Sequence, residues 1–337
     1  MTDDARTLSP DDAFEVLGNE TRVAILDALG GAAEPVSFSA LRDRVGTADS
    51  GRFNYHLDRL TGHFVRKREG GYELRRAGER VVEAVLSGAV TDAPVLERTE
   101  IDHPCHFCGA PVAVRFREER VEVFCTECPG TYARTSGPDA DGETAPASGE
   151  DAGRDESRGA TAGYLGYHPL PPAGVAGRDP AAVFRAAWTW GHLELFAAAA
   201  GVCPRCSAAL DRRRRFCESH DAARHERAEE ALCDACGRRH AVAVDLDCSN
   251  CIYAESGAAV VGLADSPPLL AFLLDHGLNP LAPTDETLPA LSAAYNDFAE
   301  SVRSTDPFEA EFTFAVDGDE LALTVDDDLR VVDAERR

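Results

Sequence analysis

Eleven cysteines and one histidine fall into six short pairs: Cys105/Cys108, Cys125/Cys128, Cys203/Cys206, Cys217/His220, Cys233/Cys236 and Cys248/Cys251. Each pair has a two-residue gap, the spacing at which a tight turn offers two ligands to one metal ion. No cysteine is left over. Consecutive pairs stand 16, 10 and 11 residues apart, which suits a short hairpin between two such turns. The spacing predicts three tetrahedral zinc (Zn2+) sites. The first is Cys105, Cys108, Cys125 and Cys128; the second Cys203, Cys206, Cys217 and His220; the third Cys233, Cys236, Cys248 and Cys251. A closed set of thiolates leaves no position for water or substrate, so the all-cysteine sites are expected to be structural. In the mixed site His220 keeps the two-residue gap and is favoured over His225, and no partnered acid or base nearby supports a reactive metal.

The other reading of these thiols is a buried or redox-active set. A redox pair of this spacing opens a helix after a strand, whereas these pairs stand beside short strand patterns and glycine. Cys108-Gly109 is followed by Val112, Val114, Val121 and Val123, and this run resembles a zinc ribbon. Cys236-Gly237 followed by Val242, Val244 and Leu246 repeats the pattern. A redox switch, in which oxidation ejects the metal, stands as the minority alternative.

At 337 residues the chain has room for two or three domains. No apolar stretch is long enough to cross a bilayer, and Met1-Thr2-Asp3-Asp4 lacks the basic start of a secretory signal. A cytoplasmic protein with no membrane partner is expected, in a compartment where thiols stay reduced and available to metals. The formal net charge is −25, and Lys67 is the single lysine. Acidic side chains in every segment are halophile-type composition, suited to staying hydrated in concentrated salt. Such a total argues against nucleic acid, yet one window runs the other way. Residues 50–80 carry Arg52, Arg59, Arg66, Lys67, Arg68, Arg75, Arg76 and Arg80 against Asp58, Glu69, Glu73 and Glu79.

That window lies in a stretch whose elements are legible from caps and periodicity. Ser9-Pro10 opens a helix carrying Phe14, Val16 and Leu17; Asn19 opens a second, closed by Gly30-Gly31. A third is predicted over about 38–45, and Ser50 opens a fourth that buries Phe53, Leu57 and Leu60. Residues 64–68 and 72–75 flank Glu69-Gly70-Gly71 as a hairpin. A closing helix follows with Val81, Val82, Val85 and Leu86 on one side.

The run from Ala13 through Val16-Leu17-Gly18-Asn19-Glu20-Thr21-Arg22 to Leu26 resembles the opening of the ArsR-like (arsenic-repressor-type) winged helix-turn-helix regulators. Phe53-Asn54-Tyr55-His56-Leu57 and Gly70-Gly71-Tyr72-Glu73-Leu74 fall where that family carries its recognition helix and wing. The resemblance covers about 10–90. It implies that the fourth helix enters the major groove of double-stranded DNA with Ser50, Arg52, Asn54, Tyr55 and Arg59 facing outward. Arg suits guanine and Asn adenine, so Arg52 and Asn54 are the expected base readers. Arg66, Lys67 and Arg68 on the wing are expected at phosphates or the minor groove. His56 is expected to pack inside the helix layer, and the closing helix is a candidate homodimer seam. Many such regulators sense metal through cysteines on the third helix. Here residues 39–45 have none, so that role does not carry over.

Residues 133–163 lack every large apolar side chain and are expected to be a disordered acidic linker or loop. Beyond them Asp179-Pro180 opens a helix with apolar residues on most sides, including Trp188 and Trp190. It is expected to be a core helix before a ligand pocket. Ser266-Pro267-Pro268 opens another helix, Leu288, Leu291, Tyr295 and Phe298 mark a further one, and Phe312 to Val325 reads as a hairpin turning at Asp317-Gly318.

The expected fold class is therefore α+β: a winged helix-turn-helix (1–92), a zinc ribbon (93–132), the linker (133–163), a helical segment (164–202), two zinc modules (203–262) and C-terminal helices with a β-hairpin (263–337). The expected function is sequence-specific transcription regulation, with no catalytic residues. The alternatives are a zinc-ribbon interaction adaptor, a redox- or effector-sensing regulator of unknown effector, and an enzyme tethered by a winged helix. No nucleophile elbow or phosphate loop supports the last.

Overall fold

Ser9, Asn19, Ser37 and Asp49 each turn a side-chain oxygen onto the free amides at a helix start, accepting from Asp12, Arg22, Ala40 and, for Asp49, both Gly51 and Arg52. These caps set the helices α1 Pro10–Leu17, α2 Glu20–Gly30, α3 Phe38–Val45 and α4 Ser50–Leu60. The computed structural model describes residues 8–132, 163–220 and 232–337. The predicted linker 133–163 lies outside the described residues except at Gly163.

After α4 come β1 Val65–Arg68 and β2 Gly71–Leu74, paired antiparallel from Val65↔Leu74 to Arg68↔Gly71, and then α5 Arg76–Leu86. Val36 bridges to Tyr72 through two backbone hydrogen bonds, 2.9 and 2.8 Å long. A Cβ on Gly71 would stand 2.2 Å from the Val36 carbonyl oxygen, so only glycine admits this approach. Ile25, Leu26, Leu41, Phe53, Leu57, Leu60 and Val65 form one buried cluster in this unit, which spans Met1–Ala93 with Pro171–Ala173. Arg22 is buried here. Its guanidinium donates to the carbonyls of Val16 and Glu15, the latter at 2.8 Å, which satisfies orphan acceptors at the end of α1.

The second unit spans Pro94–Leu170 and Gly174–Arg337. Its first sheet is β3 Leu96–Pro104, β4 Pro111–Arg117, β5 Arg120–Cys125 and β6 Tyr164–Pro169, neighbours in that order. Helix α6 Pro180–Ala199 follows. A second sheet holds β7 Leu210–Phe216, β8 Val242–Cys248 and β9 Ala254–Ala258. Helices α7 Pro267–Asp275 and α8 Leu288–Asn296 precede a third sheet of β10 Ala299–Thr305, β11 Phe308–Val316, β12 Asp319–Val325 and β13 Val331–Arg336. The fold is α+β. One hydrophobic cluster runs through all three sheets and the three helices, so 93–132, 164–202, 203–262 and 263–337, read above as successive segments, share a single core. On α6, Trp188 is a core residue, while Trp190 is 41% exposed and donates to Glu194. No described helix is long and apolar enough to cross a membrane.

Candidate metal centres

The chain runs out along β4 and back along β5, turning at Glu118 and Glu119, both with positive φ, so the pair before β4 meets the pair after β5. Cys108 Sγ lies 3.4 Å from Cys125 Sγ, and Cys105 Sγ 3.8 Å from Cys128 Sγ. The first pair sits in a tight turn: Cys105 N–H donates to Ala110, Gly109 N–H to Cys105, and Gly109 takes φ 77°. In the second pair burial pushes the Cys125 thiol up, and the amides of Glu127 and Cys128, pointing at its Sγ from 3.4 and 3.3 Å, partly offset that push. Cys105, Cys108, Cys125 and Cys128 therefore gather as their spacing predicts.

The remaining eight ligands gather differently, and two of the predicted groupings are corrected. Cys203, Cys206, Cys248 and Cys251 form one group; Cys217, His220, Cys233 and Cys236 form the other. The cause is strand direction. β7 pairs antiparallel with β8 from Leu210↔Cys248 to Phe216↔Val242, so the start of β7 lies beside the end of β8. The pair before β7 thus meets the pair after β8 at one end of the ladder, and the two inner pairs meet at the other. Cys206 and Cys217 flank the same strand. Seven residues at about 3.3 Å each put them on the order of 20 Å apart, too far for one ion.

At the outer end Cys203 Sγ is 3.7 Å from Cys251 Sγ and Cys206 Sγ 3.4 Å from Cys248 Sγ. The amide of Ala208, with help from Asn250, holds the Cys206 thiol down to about 6, which favours the ligating thiolate. At the inner end His220 Nδ1 lies 3.6 Å from Cys236 Sγ, while its Nε2 lies 3.0 Å from the Arg239 carbonyl. A carbonyl only accepts, so Nε2 carries the proton and Nδ1 keeps its lone pair toward the thiolates. His225 lies outside the described residues.

Within each group all ligand atoms stand within 4.8 Å of one another. A tetrahedral ion with metal–sulfur bonds of about 2.3 Å has sulfur–sulfur edges of about 3.8 Å. Separations of 3.4 to 3.8 Å match that figure and far exceed a disulfide bond of about 2.05 Å. Three four-ligand groups are thus positioned to hold metal ions.

Between the outer and inner groups β7 carries Arg212-Arg213-Arg214-Arg215, a basic run inside an acidic chain that sequence inspection passed over. Arg213 pairs with Asp247 and Arg215 with Asp245, diagonally across the ladder. Arg212 donates to the carbonyls of Ala199 and Gly262, and Arg214 pairs with Asp327 over the Phe308 ring. The run thus ties β7 to β8 and to neighbouring segments between the two metal groups. Its signal in the sequence was the matching Asp245 and Asp247 on the partner strand.

In the first unit, Phe53, Leu57 and Leu60 are fully buried on α4, and Ser50, Arg52, Asn54, Tyr55 and Arg59 are exposed. His56 is buried beside Arg22, and burial first, then the Arg22 and Arg52 charges, push its imidazole below the ordinary range. Several outward groups already have acidic partners. Arg59 donates to Glu15 at 2.6 Å and Asn54 to Asp58 at 2.9 Å. On the hairpin Arg66 and Arg68 share Glu73, at 2.5 and 2.8 Å, and Arg68 before Arg66 holds that carboxyl below the ordinary range. Lys67 lies 5.8 Å over the Tyr72 ring.

Fold and site together define an α+β protein with three four-ligand groups positioned for metal. The chain belongs to the family described as domain of unknown function (DUF7351), which matches residues 102–331 and so takes in all three groups. Residues 10–85 match a second description, domain of unknown function (DUF7347). No curated protein and no solved structure matches the chain.

Proposed function

We propose that the protein is a cytoplasmic, sequence-specific DNA-binding transcription regulator of ArsR-like, winged helix-turn-helix type, whose C-terminal unit is held together by three structural zinc ions. The DNA reading rests above all on one observation. On α4 a fully buried face of Phe53, Leu57 and Leu60 backs an exposed face of Arg52, Asn54, Tyr55 and Arg59, directly before a hairpin bearing Arg66, Lys67 and Arg68. A helix held by its apolar face that presents donors for base edges, next to a basic hairpin, suits major-groove reading with flanking phosphate contacts. Zinc is favoured by the ligand sets, because eleven thiolates with one imidazole in four-coordinate groups suit that ion, and closed sets serve structure. Leu86 on α5 is 68% exposed, which suits a seam between two copies.

Recovery of genomic fragments by the full-length protein, followed by footprinting, tests the reading. Arg52→Ala and Asn54→Ala should each relax preference at single positions, by about 1–3 kcal/mol of discrimination. Failure to enrich any genomic sequence over scrambled duplex ends the regulator reading.

A further inference from the structure

The first and inner metal groups are joined through one buried residue. Tyr132, just past the turn of Cys125 and Cys128, bridges antiparallel to Arg238, just past the turn of Cys233 and Cys236. Beside that bridge Arg239 is 3% exposed. Its backbone amide donates to the Thr131 carbonyl at 3.0 Å, and its Nε donates to the Gly130 carbonyl at 3.2 Å. Its guanidinium lies 3.6 Å over the ring of Phe107, which stands between Cys105 and Cys108. The side chain therefore touches one ligand turn of the first group and the stretch that leaves the other. Its backbone serves the inner group: His220 Nε2 donates to the Arg239 carbonyl at 3.0 Å, which leaves Nδ1 for the metal.

A buried guanidinium is costly unless negative charge balances it, and arginine does not give up its proton. Burial disfavours the charge on Arg239, while Cys128, Asp297, Cys105 and Cys108, in that order, favour it. Three of these four neighbours are ligands of the first group. The need is mutual. Cys105, Cys125 and Cys128 are buried, and four thiolates around a divalent ion leave net negative charge away from water. The outer group lies at the far end of the β7–β8 ladder, on the order of 20 Å from the inner one.

We infer that Arg239 is a positioning residue that couples two of the three metal groups: its guanidinium is the buried counter-charge of the first, its carbonyl orients His220 in the inner, and those two ions bind cooperatively while the outer ion binds on its own. Closing the first group fixes Phe107 and Gly130, and with them Arg239 and the carbonyl that aims His220. Coupling between binding sites is reciprocal, so the inner ion favours the first to the same degree. The inference rests on the reading of the three groups as metal sites.

The test uses the full-length, zinc-loaded protein, graded chelator and a brief pulse of a thiol-alkylating reagent, with the modified cysteines located by peptide mass spectrometry. Each cysteine belongs to one group, so the pattern reports each ion separately. Arg239→Met keeps a long side chain over Phe107 without the charge. It should release the first and inner ions at about 10- to 100-fold less chelator, the usual effect of losing an outer-shell partner, and leave the outer ion unmoved. Cys108→Ser opens the first group at its exposed ligand and keeps Arg239. It should ease release of the inner ion at least about fivefold, again without moving the outer one. An equal shift at all three groups in Arg239→Met is general loss of stability and overturns the inference, as does a shift at the first group alone. Should Arg239→Met not fold, an inner ion indifferent to Cys108→Ser overturns it instead. Elemental analysis of the unaltered protein keeps the two failures apart: fewer than three ions per chain sinks the metal groups and the coupling with them, whereas three ions with unresponsive variants sinks the coupling alone.

Discussion

Between Cys108 and Cys125 the chain travels out along β4 and returns along β5, so both ligand turns lie at the same end of the hairpin. Between Cys206 and Cys217 it travels one way, along β7, and the turns lie at opposite ends. The first arrangement closes a metal group from consecutive pairs. The second closes two groups from nested pairs, outer with outer and inner with inner. An even number of antiparallel strands between two ligand pairs lets them share an ion, and an odd number forbids it. The gap lengths carry this: sixteen residues hold two short strands and a turn, whereas ten or eleven hold one seven-residue strand.

The largest expected effect comes from removing the metal. A structural zinc ion contributes on the order of 10 kcal/mol of folding free energy to a small module. Chelation should therefore collapse the second unit while the ligand-free helices α1 to α5 keep their circular dichroism and resist proteolysis. Loss of structure throughout the chain would show that the first unit also leans on the metals.

Double substitutions separate nested from consecutive pairing. Cys206→Ser with Cys217→Ser should cost two ions, because each belongs to a different group, whereas Cys206→Ser with Cys248→Ser should cost one. Elemental analysis of the purified proteins reads the difference, and the reverse stoichiometry would restore consecutive pairing. A single change distinguishes the turns themselves. Gly109 and Gly237 follow their second cysteine with φ of 77° and 64°, but the matching position before β7 is Ser207 at φ 62°. Ser207→Gly should relieve left-handed strain and raise the stability of the outer group by roughly 1 kcal/mol, seen as a higher midpoint in denaturant. Gly109→Ser should do the opposite to the first group.

The smallest effect belongs to the cross-strand ion pairs. Arg213→Ala and Arg215→Ala remove partners of Asp247 and Asp245 at exposed positions, each worth about 0.2–1 kcal/mol and weakened by salt. Metal content should stay unchanged, since the ladder register also rests on backbone pairing. Loss of an ion from either variant would mean that these pairs, and not the strands, align the ligands.

Much of the first unit was legible residue by residue, because caps, glycine stops and a 3.6-residue apolar stripe are local signals. The Ser9, Asn19 and Ser50 starts and the hairpin at Gly70-Gly71 appear where the pattern puts them. The turn at Asp317-Gly318 is equally local, with both residues at positive φ. Strand β6 was not legible: it pairs with β5 across the whole of 133–162, and Tyr164-Leu165-Gly166-Tyr167 has no strong alternation. Strands β10 and β13 edge the third sheet and carry mostly polar residues, so they lack the apolar rhythm that revealed β11 and β12.

Which atoms can hold metal was decided by the sequence itself, because a two-residue gap within a turn is a local geometry that needs no other part of the chain. All twelve ligands stand in four-ligand groups. Which pairs share an ion was decided only by the tertiary structure, since it depends on the direction of β7 against β8 and on a pairing between residues more than 25 apart. The same holds for a cavity in the second unit. His168, Trp188, His192 and Tyr295 line it from one strand and two helices, and nothing in their spacing along the chain announces that packing brings these rings together.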